Sequence, residues 1–410
     1  MDGMRKAATM RDILVVGASQ AGLAASRELR RLGHDGPITI LDAENGGPYR
    51  RPEVSKGLLS GTFEPDTVAV TWPADLGLEL VQGTTAERLD AARKVVVARD
   101  HDGVREFGYD GLVVATGAAA RPVPLEPVPA GVHTLRTVAD ALRMRAELGA
   151  ARSIVIVGAG FIGLEVAAVA GELGKQVTVL EAGPVPLERV LGRAFGEHVA
   201  AVHRTRGVEL RCGSPMDRIE VDAAGAVCAV ELADGTSLPT SLVLFATGSA
   251  PEVGWLAGSG ADCADGIRCD ATCAVEGLTD VVAAGDVAGW WNPLYGRHMR
   301  VEHWTNAIEQ GGYAARRLLG RHDPAGFTSA PYFWSDQFGM RLQSIGSTTG
   351  HDAVEIIEQD GDTMIVGYGI EGRLVAVAGL NAGTAVNRYR KAVLAGADLV
   401  SVRVDGREVA

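Results

Sequence analysis

Gly158, Gly160 and Gly163 form a Gly-x-Gly-x-x-Gly turn, and the acid Glu181 stands eighteen residues past the last of them. These residue types at this spacing can hold a dinucleotide. Gly158 permits a tight turn, Gly160 lets the backbone approach a pyrophosphate, and Gly163 lets the following helix pack closely on its strand. Glu181 can accept hydrogen bonds from a free ribose 2′-hydroxyl and repels a 2′-phosphate, which predicts NADH rather than NADPH. A second set lies earlier: Gly17, Ser19, Gln20, Ala21 and Gly22 make the same turn with serine in the middle, and Asp42 follows twenty residues past Gly22. Serine is small, and its hydroxyl can hydrogen-bond a phosphate oxygen. A chain with two dinucleotide sites is expected to hold one dinucleotide tightly and exchange the other, and FAD with a nicotinamide cofactor is the natural pair.

Each set needs a strand, a turn, a helix and a second strand in that order, so that the pyrophosphate meets a helix N-terminus. The later unit has β-prone apolar residues at 154–157, the glycine turn with Phe161 and Ile162 inside it, a helix pattern from Leu164, and a second strand at 177–180. The earlier one has a strand at 13–16, a helix running through Leu32 and a strand at 38–41. The two are an internal repeat of function.

Two further buried strands, 112–115 and 242–245, end in the same triplet, Ala115-Thr116-Gly117 and Ala246-Thr247-Gly248. They mark where the chain crosses between domains, with Arg121 and the proline-rich run 122–129 as the first crossing. A strand at 281–284 meets Gly285 and Asp286, an acid placed either to hydrogen-bond a ribitol hydroxyl or to cap the next turn. The segment Val301-Glu302-His303-Trp304-Thr305-Asn306-Ala307 opens a helix to Leu319, with Thr305 as a candidate cap. A helix N-terminus aimed at a flavin would stabilise the negative charge of the reduced ring. From Phe327 the pattern changes to an aromatic cluster at 331–334, strands at 364–368 and 374–378 and a helix at 386–395, which predicts a separate α+β domain.

Composition narrows the function. The 410 residues carry a net charge of -12, which argues against a broad nucleic-acid surface. The five cysteines, Cys212, Cys228, Cys263, Cys269 and Cys273, contain no Cys-x-x-Cys and no common zinc or iron–sulfur spacing, so no metal is predicted. Reduced cysteines in a cytoplasmic protein are the expectation. None precedes Cys212, so no disulfide or cysteine sulfenate is available near the first unit. The first twelve residues are mixed and charged, unlike a secretory signal, and no run of about eighteen apolar residues predicts a membrane span.

Several motifs together carry a family resemblance: Arg51-Pro-Glu-Val-Ser-Lys56, the two Ala-Thr-Gly triplets, Gly285-Asp286-Val287, Glu302-His303-Trp304-x-Asn306-Ala307, Phe333-Trp334-Ser335-Asp336-Gln337, and Asn381 before Arg390-Lys391. Over nearly its whole length the sequence resembles the NADH-dependent ferredoxin reductases of bacterial oxygenase systems, of the putidaredoxin reductase and rubredoxin reductase type. The resemblance implies an α/β fold of glutathione-reductase-like architecture. An FAD domain would span 11–121 and 249–326, an NADH domain 122–248, and a C-terminal α+β domain 327–410.

The resemblance also implies site roles. Asp42 would hold the adenosine ribose and Asp286 the ribitol of FAD, with Arg50 and Lys56 near the FAD and Lys56 close to its ring system. Glu165 matches an acid that approaches that lysine near the nicotinamide, and Trp304 an aromatic near the flavin. The remaining expected cofactor contacts are Ala115, Thr116, Gly117, Arg121, Ala246, Thr247, Gly248, Gly285, Val301, Glu302, His303, Ala307 and Trp334, together with the two glycine turns. Two departures stand out: Glu53, where the family commonly has proline, and Ser19. Glu165 lies on an apolar helix face, where an unpaired carboxylate is costly; a pairing with Lys56 would resolve that.

The implied activity is hydride transfer from NADH to FAD, then single electrons to a small iron–sulfur ferredoxin, by a monomer or homodimer. Lys56 and Glu165 would act electrostatically and by position. An acidic carrier is expected, and Arg297, Arg300, Arg316, Arg317, Arg388, Arg390 and Lys391 are candidates for a basic patch that would meet it. The alternatives are a rubredoxin reductase, an NADH oxidase, and a flavoprotein that senses NADH through its assembly.

Overall fold

The computed structural model describes residues 10–405 and divides into two compact units. The first contains the chain up to Tyr49, Ala69–Ala119 and Pro251–Ser329. Its parallel sheet has the order Val281–Ala283, Gly111–Val114, Ile13–Val16, Ile38–Leu41, Glu79–Val81. The strands around Ile13–Val16 are continuous aliphatic runs because both faces of a parallel sheet are covered. Thr85–Asp90, Val95–Asp100 and Gly103–Gly108 form an antiparallel meander. The helix Gln20–Arg31 lies against Trp304–Leu318, so close that a Cβ on Gly311 would stand 2.3 Å from the Ala21 carbonyl oxygen. The predicted cap Thr305 falls inside the second helix. His303 occupies the cap position and makes no side-chain cap bond there.

Glu28 accepts from Arg31 of its own helix and from Arg316 of the other, each at 2.6 Å. The Arg31 bond, with Arg316 added and partial burial opposing, lowers the Glu28 pKa from 4.5 to about 2. A carboxylate with a depressed folded-state pKa stabilises the fold above its unfolded value, and that contribution is lost as pH falls from 4.5 through about 2. Glu28→Gln is therefore expected to lower unfolding free energy at pH 7 by about 1–3 kcal/mol, with Arg31 exposed enough to screen part of the gain. Denaturant unfolding should show the difference from wild type closing towards pH 2. An unchanged difference at low pH would contradict this.

The second unit contains Arg50–Val68, Ala120–Ala250 and the chain from Ala330. Its parallel sheet has the order Glu209–Cys212, Gln176–Glu181, Ser153–Val157, Val243–Phe245, Val132–His133. The helices Val138–Ala150, Phe161–Glu172 and Glu188–Thr205 belong to this unit. Val138–Ala150 starts in a capping box, with the Thr137 hydroxyl accepting from the Asp140 amide and the Asp140 carboxylate from the Thr137 amide. Arg50–Val68 carries three short helical turns, Arg51–Glu53, Gly57–Ser60 and Pro65–Val68.

The C-terminal part is a five-stranded antiparallel sheet in the order Tyr332–Gln337, Met340–Gly346, Arg373–Leu380, Thr363–Ile370, Ala353–Asp360. The strands predicted at 364–368 and 374–378 are longer than expected because Glu371 and Gly372, both at positive φ, close a tight hairpin between them. The helix predicted at 386–395 is two pieces, Ala385–Arg388 and Arg390–Ala395. A 3₁₀-type bond from the Tyr389 amide to the Val386 carbonyl interrupts the α-helical ladder. No described helix is long and apolar enough to cross a membrane.

Candidate functional site

Four of the glycines in the two turns are required by the chain itself. Gly17 has φ +109, and a Cβ there would lie 2.2 Å from the Ala115 carbonyl oxygen. Gly158 has φ +106 and would meet the Ala246 carbonyl oxygen at 2.5 Å. Cβ atoms on Gly22 and Gly163 would stand 2.0 Å and 2.1 Å from the carbonyl oxygens of Gly17 and Gly158. The same contacts set Ala115-Thr116-Gly117 and Ala246-Thr247-Gly248 against their turns. Thr116 and Gly117 are tied further to Glu252, through the Thr116 hydroxyl and the Glu252 amide.

Gly160 is different. Its φ of -77 and ψ of -176 suit any residue, and no protein atom lies within 4 Å of a Cβ built there. Ser19 occupies the equivalent place with φ -77 and ψ -164. Both residues precede twelve-residue helices that have no side-chain cap bond and no acid in the first turn. Each turn therefore presents helix-terminal amides that no side chain caps, and at Gly160 a Cβ would meet no protein atom, an arrangement that suits a pyrophosphate. Gln20, in the first turn, is buried with its Nε2 unpartnered among the described residues.

A carboxylate accompanies each turn. Glu181 Oε2 accepts from the Ala159 amide at 2.9 Å, and Oε1 from the Gly183 amide at 2.8 Å, so the acid is fixed against the second turn. Asp42 is half-buried at the end of Ile38–Leu41, with its amide bonded to the Val81 carbonyl. Gly285, at φ +81, donates its amide to Gln310 Oε1. A Cβ on it would sit 3.0 Å from the Ala21 side chain and 3.7 Å from that of Ala307. Gly285-Asp286 and the helix Trp304–Leu318 thus converge on the first turn. Val301 is buried, Trp304 is half-buried, and Glu302 pairs with Arg300 at 2.5 Å. Burial lowers the His303 pKa to about 4 against the pull of Glu302, so the ring is neutral at neutral pH.

Lys56 and Glu165 meet in the second unit, Nζ to Oε1 at 2.7 Å. Glu165 also accepts from Ser55 Oγ on Oε2 at 2.5 Å and from Ser335 Oγ on Oε1 at 2.6 Å. Lys56 donates as well to the Pro52 carbonyl at 3.1 Å. The carboxylate is only 3% exposed, yet it holds three donors on two oxygens. The two serines were not among the expected site residues. The available signal for Ser335 was its place in an alternating strand, where Phe333, Ser335 and Gln337 fall on one face.

Arg50 does not join this cluster: its exposed guanidinium bonds the Thr67 carbonyl and lies 6.0 Å from the Phe63 ring centroid. Arg121 is exposed, with its amide bonded to the Gly248 carbonyl. Phe161 packs on Phe333 with ring centroids 4.4 Å apart, Ile162 is exposed, and Trp334 stacks on Tyr332. Three arginines of the expected basic patch serve internal contacts, among them Arg317, whose Nε donates to the Thr272 hydroxyl at 2.9 Å. Arg300 bonds Glu302, Asp265 and the Asp286 carbonyl, and Arg316 bonds Glu28. Burial raises the thiol pKa values of Cys212, Cys263, Cys269 and Cys273, which disfavours the thiolates that nucleophilic or redox chemistry requires.

Residues 11–311 match the family described as pyridine nucleotide-disulphide oxidoreductase, and residues 332–408 the reductase C-terminal family. A curated relative from Sphingobium, the ferredoxin reductase subunit of a 5,5'-dehydrodivanillate O-demethylase, is 37% identical over 83% of this chain and 82% of its own. The ferredoxin--NAD(+) reductase component of an anthranilate 1,2-dioxygenase system from Burkholderia cepacia is 34% identical over 94% of each chain. Among solved structures, the putidaredoxin reductase in its covalent complex with putidaredoxin matches with a TM-score of 0.90 at 28% identity, over 98% of this chain and 99% of that one. The expected fold class agrees with these matches. The chain belongs to the pyridine nucleotide-disulphide oxidoreductase family, in the branch that carries the reductase C-terminal domain.

Proposed function

We propose that the protein is an NADH-dependent ferredoxin reductase of an oxygenase system, with FAD as resident cofactor and NADH as exchanging substrate. The observation that carries this reading is the pair of uncapped glycine turns, each with its own carboxylate, in a chain whose relatives are named as ferredoxin reductases. FAD, when bound, accepts a hydride from NADH and returns the electrons one at a time, which links a two-electron donor to a one-electron carrier. The amides behind Ser19, with Gly17, Gly22, Asp42 and Asp286, would hold FAD. Those behind Gly160, with Gly158, Gly163 and Glu181, would hold NADH. We assign residues 11–121 and 249–326 to FAD binding, 122–248 to NADH binding and 327–410 to the C-terminal domain.

Lys56 and Glu165 have an electrostatic and positional role in hydride transfer. Glu165 and the Pro52 carbonyl fix the Lys56 ammonium in place. Among the candidate basic residues, Arg388, Arg390 and Lys391, all in the second unit, are the ones we propose to face the ferredoxin. Free cysteines fit a cytoplasmic location, where NADH is also available.

The test is NADH-driven reduction of cytochrome c by the purified yellow protein, with and without a panel of small ferredoxins and a rubredoxin. Manyfold stimulation by a ferredoxin is expected. Stimulation by rubredoxin alone would move the carrier assignment. Rapid oxygen consumption without stimulation would make the protein an oxidase, and little turnover with an NADH-dependent change of mass would make it a sensor. Within the same assay, Glu181→Gln is expected to raise KM for NADH about 10–100-fold through loss of charge-assisted bonds to the ribose. An unchanged KM would remove Glu181 from the site.

A further inference from the structure

The Glu165 carboxylate is the end of a longer row of buried polar groups. Ser335, which donates to Glu165 Oε1, itself accepts from Gln337 Nε2 at 3.0 Å. Gln337 Oε1 lies 2.8 Å from His203 Nε2. The row joins the helix Phe161–Glu172, the strand Tyr332–Gln337 and the helix Glu188–Thr205. Its four side chains are nearly inaccessible, at 3%, 0%, 2% and 1% exposure from Glu165 to His203.

The direction of the row follows from its chemistry. The Gln337 amide nitrogen donates to Ser335, so its oxygen is left to accept, and His203 must carry its proton on Nε2. Burial lowers the His203 pKa from its ordinary 6.5, opposed by the Gln337 bond, so the ring is neutral at neutral pH. Nδ1 makes no hydrogen bond among the described residues. Every donor therefore points towards Glu165. The amide in the middle cannot exchange donor and acceptor roles as a hydroxyl can, so the row holds groups in place and does not pass protons.

Stability alone does not account for it. A buried ring nitrogen without a partner carries a desolvation cost, and apolar residues of similar volume at these positions would avoid that cost. The next residue reinforces the point. Phe338 sits at φ 51, a backbone region that bulky residues seldom occupy. Its ring packs edge-to-face on His203 at 5.1 Å, with the Arg206 guanidinium 5.8 Å from its centroid. The hairpin tip is thus pinned to the end of Glu188–Thr205, beside the imidazole that starts the row.

We propose that Ser335, Gln337 and His203 are positioning residues, a one-way hydrogen-bonded row that fixes the Glu165 carboxylate and, through it, the Lys56 ammonium for hydride transfer. This rests on the reading of Lys56 and Glu165 given above. The row reaches the Lys56 ammonium through Glu165, so its effect is expected on the rate of the chemical step.

Stopped-flow bleaching of the flavin by NADH under anaerobic conditions tests it. At saturating NADH, Ser335→Ala, which loses a hydrogen bond to the Glu165 carboxylate, is expected to slow bleaching about tenfold, and Gln337→Met, which loses the bond that orients the Ser335 hydroxyl, about threefold, with the dissociation constant for NADH within about twofold of wild type in both. Ser335→Thr, which keeps the hydroxyl, should restore the rate. In a Glu165→Gln background, Gln337→Met should have no further effect. As an independent readout, nitrogen NMR of the wild-type protein should show a neutral His203 protonated on Nε2 at pH 7, and Gln337→Met should mix its tautomers. A His203 protonated on Nδ1, equal slowing in the Glu165→Gln background, or unchanged rates in folded variants would each overturn the row. Failure of the wild-type flavin to bleach with NADH would sink the functional reading, and the role of the row with it. Normal wild-type bleaching with unaffected variants would sink the row alone.

Discussion

Gly160→Val is expected to leave the protein folded and to abolish its use of NADH. The backbone at Gly160 is in a region open to any residue, and no protein atom approaches within 4 Å of the added Cβ. Melting should therefore match wild type. The space that the side chain would fill is the cradle in front of the amides that open Phe161–Glu172. A pyrophosphate excluded from that helix N-terminus loses several hydrogen bonds, and affinity for NADH should fall by about a hundredfold or more. Gly158→Val is the contrasting case. Its φ is +106, and the added Cβ would press on the Ala246 carbonyl oxygen at 2.5 Å. That variant should lose about 3 kcal/mol or more of stability, by strain and overpacking together, before any question of binding arises. Calorimetric titration of NADH alongside thermal melting separates the two. If Gly160→Val binds NADH normally, the second turn is not the nicotinamide site.

The second large effect is expected at Glu165. Glu165→Leu removes the acceptor for three donors and leaves the Lys56 ammonium in a mostly buried place with only the Pro52 carbonyl. Breaking a buried pair from one side costs about 3–5 kcal/mol, because the surviving charge stays uncompensated. Adding Lys56→Met to the same chain removes that charge and should recover a large part of the loss. Activity should move differently. Lys56→Met alone and the double variant should both reduce flavin slowly, on the order of a hundredfold below wild type, as expected when an electrostatic group that acts in the transition state is removed. Denaturant unfolding and anaerobic bleaching of the four proteins provide both cycles. Stability recovered with rate still lost is the expected pattern. Unchanged reduction by Lys56→Met would remove the lysine from the site.

The two glycine turns and their strands were legible in the sequence because their chemistry is local. Strand, turn, helix and acid follow one another within about thirty residues, and every glycine of the two turns except Gly160 answers to a nearby carbonyl oxygen. The Lys56–Glu165 pair was legible only through the cost of a carboxylate on an apolar face combined with a family resemblance. Spacing alone does not bring residues 56 and 165 together. Ser335 was less legible still. A serine on a strand face has many possible partners, and 170 positions separate it from the carboxylate it serves. The internal roles of Arg300 and Arg316 were hidden for a related reason: charge in a sequence does not reveal pairing, and these two bond Glu302, Asp265 and Glu28. The break at Tyr389 and the interior position of Thr305 are differences of a few residues, set by local hydrogen bonding that helix patterns do not resolve.

The most direct measurement is a single-turnover reaction without oxygen. The purified protein is reduced with one equivalent of NADH and mixed rapidly with an oxidised iron–sulfur ferredoxin, while flavin and ferredoxin absorbance are followed together. Flavin colour should return as ferredoxin bleaches, with two ferredoxins reduced for each flavin, as required when one hydride is divided into single electrons. A flavin that NADH reduces but that passes nothing to any ferredoxin, and recovers only when oxygen is admitted, would contradict the account.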